Sequence, residues 1–99
     1  MRIEFEDDDL RRLYMESDFR TSGFGPELIR GYRKVLNFVA AANDERDLRA
    51  HQSLHFEKLK GNRPGQYSMR IFQQWRLVFY MRNDEEGQQL FVLEVVDYH

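Results

Sequence analysis

A chain of 99 residues that is 41% hydrophobic and 14% aromatic can bury one modest core, with no room left for a separate cofactor domain. The absence of cysteine excludes a disulfide framework, a thiolate zinc site and an iron–sulfur cluster. No apolar run approaches the ~18 residues of a membrane span, and Met1-Arg2 leads into the acid-rich stretch Glu4 to Asp9 rather than a signal-peptide core. The expectation is one soluble, cytoplasmic α+β domain over residues 1–99. The net charge of −2 conceals a segregation along the chain. Residues 1–20 carry −3, residues 21–53 carry +1, residues 54–82 carry +5 and residues 83–99 carry −5. The +5 block sets Lys58, Lys60, Arg63, Arg70, Arg76 and Arg82 against Glu57 alone. A polyanionic partner would be met through that focused patch, since the whole molecule has no bulk attraction for one.

In chain order, Met1 to Phe5 alternates Ile3 and Phe5 with Arg2 and Glu4, which suits a short strand. Acids at 6–9, followed by Leu10, Leu13 and Tyr14, predict a helix over about 8–16, with the acids at the positive end of its dipole. Thr21 to Gly25 reads as a loop, and Pro26 suits the first position of a second helix. Leu28, Tyr32, Val35, Val39 and Ala42 form one stripe, with Glu27, Arg30, Arg33, Lys34 and Asn37 elsewhere, so that helix should run to about Ala42 and lie on a sheet. Residues 43–65 are polar and ambiguous, ending in the turn signal Gly61-Asn62-Arg63-Pro64-Gly65. Beyond it, Tyr67, Met69 and Ile71 alternate in one strand, and Trp75, Leu77, Phe79 and Met81 in the next. Matching faces pairs Tyr67 with Phe79, Met69 with Leu77 and Ile71 with Trp75, leaving Phe72-Gln73-Gln74 as the loop. Asn83 to Gln89 reads as a polar hairpin loop, and Leu90 to Val96 as a nearly continuous apolar central strand. The predicted order is β-α-α-β-β-β: two N-terminal helices on a small, twisted, mainly antiparallel sheet.

The same register sets Arg70 opposite Arg76 on the face away from the core. Facing like charges destabilise a sheet by up to ~1 kcal/mol. Either the two side chains splay into water or pair with acids such as Glu94 and Asp97, or an anion bridges them, since two guanidinium forks suit a phosphate. Asp97-Tyr98-His99 is either a frayed end or a set of proton-moving side chains, and Lys60 could bring a third cation to the same face. His51 and His55 stand four apart with no further partner, so no metal site is expected. There is no glycine-rich phosphate loop and no Gly-x-Ser-x-Gly elbow. Met69, Met81 and Trp75 are most simply core.

Leu59-Lys60-Gly61, Gly65-Gln66-Tyr67-Ser68-Met69-Arg70, Gln74-Trp75-Arg76-Leu77-Val78-Phe79 and Val95-Val96-Asp97-Tyr98-His99 together closely resemble the HigB branch of the RelE/ParE toxin superfamily. The match covers residues 57–99 in detail, and the element order extends it to the whole chain. The resemblance implies a bacterial type II toxin, a metal-free endoribonuclease without a cofactor, which cuts messenger RNA in the ribosomal A site and arrests growth. It also implies a helix-turn-helix antitoxin of HigA type, with operator DNA met only through that antitoxin, and no membrane partner. Carried over by motif, Lys60, Arg76, Asp97, Tyr98 and His99 are catalytic, and Arg63 and Arg70 hold RNA or phosphate. Glu57 stands where some members carry a histidine. Two other readings share the fold: a toxin that inhibits a protein such as DNA gyrase without cutting RNA, and an inactive antitoxin-binding relative.

Overall fold

The periodic stretches become regular elements in the computed structural model, which describes residues 1–97. In chain order these are β1 (Arg2–Phe5), α1 (Asp8–Met15), α2 (Pro26–Ala41), α3 (Glu45–Ala50), a 3₁₀ turn (Gln52–Leu54), β2 (Glu57–Lys58), β3 (Tyr67–Phe72), β4 (Trp75–Asp84) and β5 (Gly87–Asp97). The five strands form one sheet in the order β1-β5-β4-β3-β2. β1 runs parallel to β5, and the other pairs are antiparallel. The α+β class and the two helices on a mainly antiparallel sheet match the sequence reading. Segment 43–65, left unassigned by pattern, adds α3, the 3₁₀ turn and β2.

Local chemistry explains where the helices start. The Asp7 carboxylate caps α1 by accepting from the Asp9 amide at 2.9 Å, and Asp8 and Asp9 occupy its first turn. Pro26 opens α2. The expected stripe of α2 is buried, and Ile29 and Leu36 widen it. These side chains meet Leu10 and Leu13 of α1 and Met69, Leu77, Phe79, Leu90 and Val92 of the sheet in one cluster. In α3, Asp44 caps the Arg46 amide at 2.9 Å and Leu48 is fully buried; a six-residue helix survives on that cap and that anchor.

Tyr32 locks α2 to α1. Its ring is fully buried and its hydroxyl donates to the Leu10 carbonyl at 2.7 Å. Burial pushes the phenol well above its ordinary pKa, so it remains a donor throughout the usual pH range. Tyr32→Phe removes one buried hydrogen bond and is expected to lower stability by about 1 kcal/mol, read as a Tm fall of about 5 °C.

The β3–β4 register agrees with the sequence reading from Tyr67↔Phe79 through Arg70↔Arg76, and then departs from it. Phe72, not Ile71, pairs with Trp75, so the turn is the two residues Gln73-Gln74. Ile71 is the extra residue of a bulge, which lets both Ile71 and Phe72 pack on the core side. Gln73 adopts the positive φ (49°) that the tight turn requires. The expected Asn83–Gln89 loop is also mostly strand: Asn83 pairs with Gln88 and Asp84 with Gly87, leaving Glu85-Glu86 as the turn. Gly87, at φ +115°, and the Asp84 carboxylate, accepting from the Glu86 amide at 2.9 Å, close it. Arg2 of β1 pairs with Asp84 and holds that carboxyl below the usual range. β5 is interior, between β1 and β4, while β4 occupies the middle of the sheet.

Candidate functional site

The sheet face turned away from the helices is where the cations collect. β2 and β3 are joined by a loop whose base is closed by the Leu59 amide donating to the Gln66 carbonyl at 2.9 Å. Within the loop, Gly61 (φ +79°) and Gly65 (φ +77°) take conformations that disfavour other residues. Leu59 is buried at its root, and Lys60 beside it is exposed. Arg63 donates from Nη1 to Glu94 Oε1 of β5 at 3.0 Å. Because β4 separates β3 from β5, the loop must lie across β4. Val78, in register with Glu94, is fully buried although it stands outside the helix-side core.

At the edge of this cover lies Arg76, whose side chain is only 12% exposed. Its Nε donates to Ser68 Oγ on β3 at 2.8 Å, and its Nη2 donates to the His55 carbonyl. The Glu57 carboxylate of β2 stands 3.9 Å from the same Nη2. Ser68 is fully buried, so its hydroxyl depends on this contact. Arg70, the cross-strand partner of Arg76, is exposed and turned to its own hairpin, with Nε on the Gln73 carbonyl at 2.9 Å. The two like charges are thus relieved by separate carbonyl and hydroxyl partners. Glu94, considered from sequence as an acid for Arg70 or Arg76, engages Arg63 instead.

The structure therefore brings Arg76, Arg70 and Glu57 together, with Lys60 on the adjoining loop and Arg63 reaching from that loop to Glu94 of β5. Asp97 arrives differently. It pairs with Trp75, and paired residues share a face, so it stands on the helix side of the sheet while Arg76 stands on the other. A bulge in β5 sets this phase: Val78 pairs with Glu94 and Phe79 with Val92, leaving Leu93 as the extra residue. Tyr98 and His99, both site candidates from sequence, lie outside the described residues. Among the described residues no group of three or more His, Asp or Glu side chains is arranged to hold a metal ion.

Two features were missed in the sequence reading. Arg20, Arg30, Arg33 and Lys34 line one depression beside α2, with no carboxylate among the described residues that line it. Lys34 also borders a second cleft with His51, His55 and Arg70. The spacing of Arg30 and Lys34, one helical turn apart, signalled the first. Nothing in the unassigned segment signalled the second.

The model of the family described as the RelE-like toxin of the type II toxin–antitoxin system HigB matches residues 3–99. The chain belongs to the HigB-like toxin family. It is 35% identical over 79 residues to Toxin HigB-1 of Vibrio cholerae serotype O1, covering 80% of this chain and 82% of that protein. It is 31% identical over 84 residues to an uncharacterized protein of Haemophilus influenzae, covering 85% and 82%. Its fold is that of a YoeB/ParE toxin from Agrobacterium tumefaciens, at TM-score 0.57, 19% identity and full coverage of both chains. The YoeB dimer from Staphylococcus aureus aligns at TM-score 0.52 and 19% identity, over 100% of this chain and 97% of that one. As a HigB-like toxin of a type II system, the protein has an antitoxin as its partner. No helix among its described residues is long and apolar enough to cross a membrane.

Proposed function

We propose that this HigB-like toxin is a metal-independent, ribosome-dependent messenger-RNA endoribonuclease that inhibits translation. The observation that carries the reading is the cross-strand pair of Arg70 and Arg76, two guanidinium groups each fixed by its own partner. Arg76 meets described residues through Nε and Nη2, which leaves Nη1 to meet a phosphate oxygen. A fork held in place before substrate arrives needs little reorganisation as charge develops. Lys60 adds a mobile ammonium from the neighbouring loop.

In the proposed reaction the 2′-hydroxyl attacks its own 3′-phosphate. A base takes the hydroxyl proton, the P–O5′ bond breaks, and an acid protonates the leaving 5′-oxygen to give a 2′,3′-cyclic phosphate. Lys60, Arg70 and Arg76 stabilise the phosphorane, and Arg63 extends the cationic track once it releases Glu94. His99 supplies the acid–base chemistry and Tyr98 stacks on a base, while Asp97, on the opposite face of the sheet from Arg76, takes no proton-transfer role there. Glu57, whose carboxylate stands 3.9 Å from Arg76 Nη2, places an acid beside the same guanidinium. The antitoxin is proposed to be of HigA type, with the ribosome presenting the messenger.

The test maps 5′ ends on a reporter messenger after induction of the wild type and of Lys60→Ala and His99→Ala variants. New ends inside translated codons, lost in both variants and when translation is blocked, are the expected result. Growth arrest without new ends would reject the nuclease and favour inhibition of a protein such as gyrase.

A further inference from the structure

A cleft of about 380 Å³ opens between α2, the 3₁₀ turn and the end of β3. That is within the usual range for a small-ligand pocket, roughly 300–1,000 Å³. Phe38 and Phe72 contribute to an apolar interior. Its rim is formed by Lys34, His51, His55 and Arg70, all exposed, and among the described residues no carboxylate lines it. We propose that this cleft takes one unstacked nucleotide of the RNA, base inward and phosphate on the rim. The inference rests on the nuclease reading and deepens it by naming a subsite beside the cut.

Several contacts hold the rim in place before a ligand arrives. The His51 ring stands edge-on to Phe38, centroids 4.6 Å apart, and its Nδ1 is 2.9 Å from Ser53 Oγ. Both contacts fix the ring and leave Nε2 to meet a ligand. His55 sits in the left-handed region (φ 47°), and its carbonyl accepts from Arg76. That bond ties the cleft wall directly to the guanidinium assigned to the phosphate. Arg70 belongs to both places: it lines the cleft and pairs with Arg76 across the strands. A phosphate on Arg70 would lie between the cleft and Arg76, so a base entering the cleft leaves its phosphodiester facing the proposed cutting groups. Single-stranded RNA is read in this way, with bases splayed into aromatic or apolar slots and the backbone held by cations.

The test follows backbone amide shifts of isotope-labelled toxin during titration with the four 5′-nucleoside monophosphates and a 2′-O-methyl RNA trinucleotide, which cannot be cleaved through its 2′-oxygens. Amides of Lys34, Phe38, His51, Ser53 and Arg70 are expected to move together. Ser53→Trp, a cleft-filling change at an exposed position, should weaken the trinucleotide at least about tenfold, and Lys34→Ala about threefold to tenfold, with Tm unchanged in both. Shifts confined to Lys60 and Arg63, or unchanged affinity in both variants, would overturn the subsite. So would cleft amides that respond only to the antitoxin, which would make the cleft a protein-docking groove. Binding is measured on RNA that cannot be cut, so loss of the subsite and loss of the nuclease reading appear in different experiments.

Discussion

Arg76→Ala is expected to abolish toxicity and to weaken the fold at the same time, and the two effects can be separated. The guanidinium is nearly enclosed and supplies the donor for the buried Ser68 hydroxyl as well as a clamp on the His55 carbonyl. Removing it strands a buried hydroxyl and loosens the link from β2 to the 3₁₀ turn, a loss of about 1–3 kcal/mol. On the proposed nuclease, loss of one preorganised cation at the phosphorane lowers cleavage about 10²- to 10³-fold. Ser68→Ala provides the control, because it removes the anchor and keeps the cation. It leaves the nearly enclosed Nε without that partner but strands no hydroxyl and keeps the His55 bond, so it should lose about 1 kcal/mol while retaining cleavage within about tenfold of wild type. Arg76→Lys keeps the charge but cannot present two fixed donors, so it should recover little of either property. Thermal unfolding and RNA cleavage, measured below the lowest Tm of the set, decide the matter. Cleavage that tracks stability across all three variants would make Arg76 a structural residue only.

What could be read in the sequence followed from periodicity. Two strands of alternating apolar residues admit few registers that keep both faces consistent, so Tyr67↔Phe79 and Arg70↔Arg76 follow from the pattern alone. The departures occur where one residue breaks the alternation. At Ile71 the sequence stays apolar through Phe72, so nothing marks which residue is extra, and the bulge moves the turn by one position. In β5 the run Leu90 to Val96 is apolar on both faces apart from Glu94, which hides the bulge at Leu93. That bulge decides that Asp97 shares a face with Trp75 and not with Arg76. Helix α3 leaves no mark in the sequence because six residues are too few to show a helical period.

The site was legible as chemistry but not as geometry. Residue type marked Lys60, Arg63, Arg70 and Arg76 as a cationic block, and motif order gave them a family. Pairing was another matter, because which acid meets which base depends on how a loop crosses the sheet. Only the fold shows Arg63 reaching Glu94 over β4, or Arg76 turning inward onto Ser68. The His51–His55 pair illustrates the same limit. Spacing alone makes it a poor metal site, whereas in the fold the two residues line a cleft with Lys34 and Arg70, which lie far from them in sequence.

Gly31→Ala is expected to destabilise the protein even though it improves the helix. In an exposed helix interior, alanine in place of glycine gains about 1 kcal/mol. Here α2 passes so close to β3 that a Cβ on residue 31 would lie 2.4 Å from the Ile71 carbonyl oxygen and 3.4 Å from the Phe72 Cβ. The blocking oxygen belongs to the bulged residue of β3, which is pinned by its strand neighbours and cannot swing aside as a side-chain end would. The helix must therefore lift from the sheet, and with it the buried stripe from Leu28 to Val39 that forms much of the core. Overpacking of this kind costs ~1–3 kcal/mol, more than the propensity gain when the obstacle is backbone. The expected net loss is about 1–2 kcal/mol, a Tm decrease of about 5–15 °C by thermal unfolding. Gly25→Ala is the control for added bulk: nothing lies within 4 Å of its would-be Cβ and its φ is −74°, so it loses only the N-cap preference of glycine over alanine, about 0.5–1 kcal/mol, and its Tm should fall by no more than about 5 °C. An increase in Tm for Gly31→Ala would mean that α2 and β3 are not held at this separation. It would also redraw the cleft that lies between them.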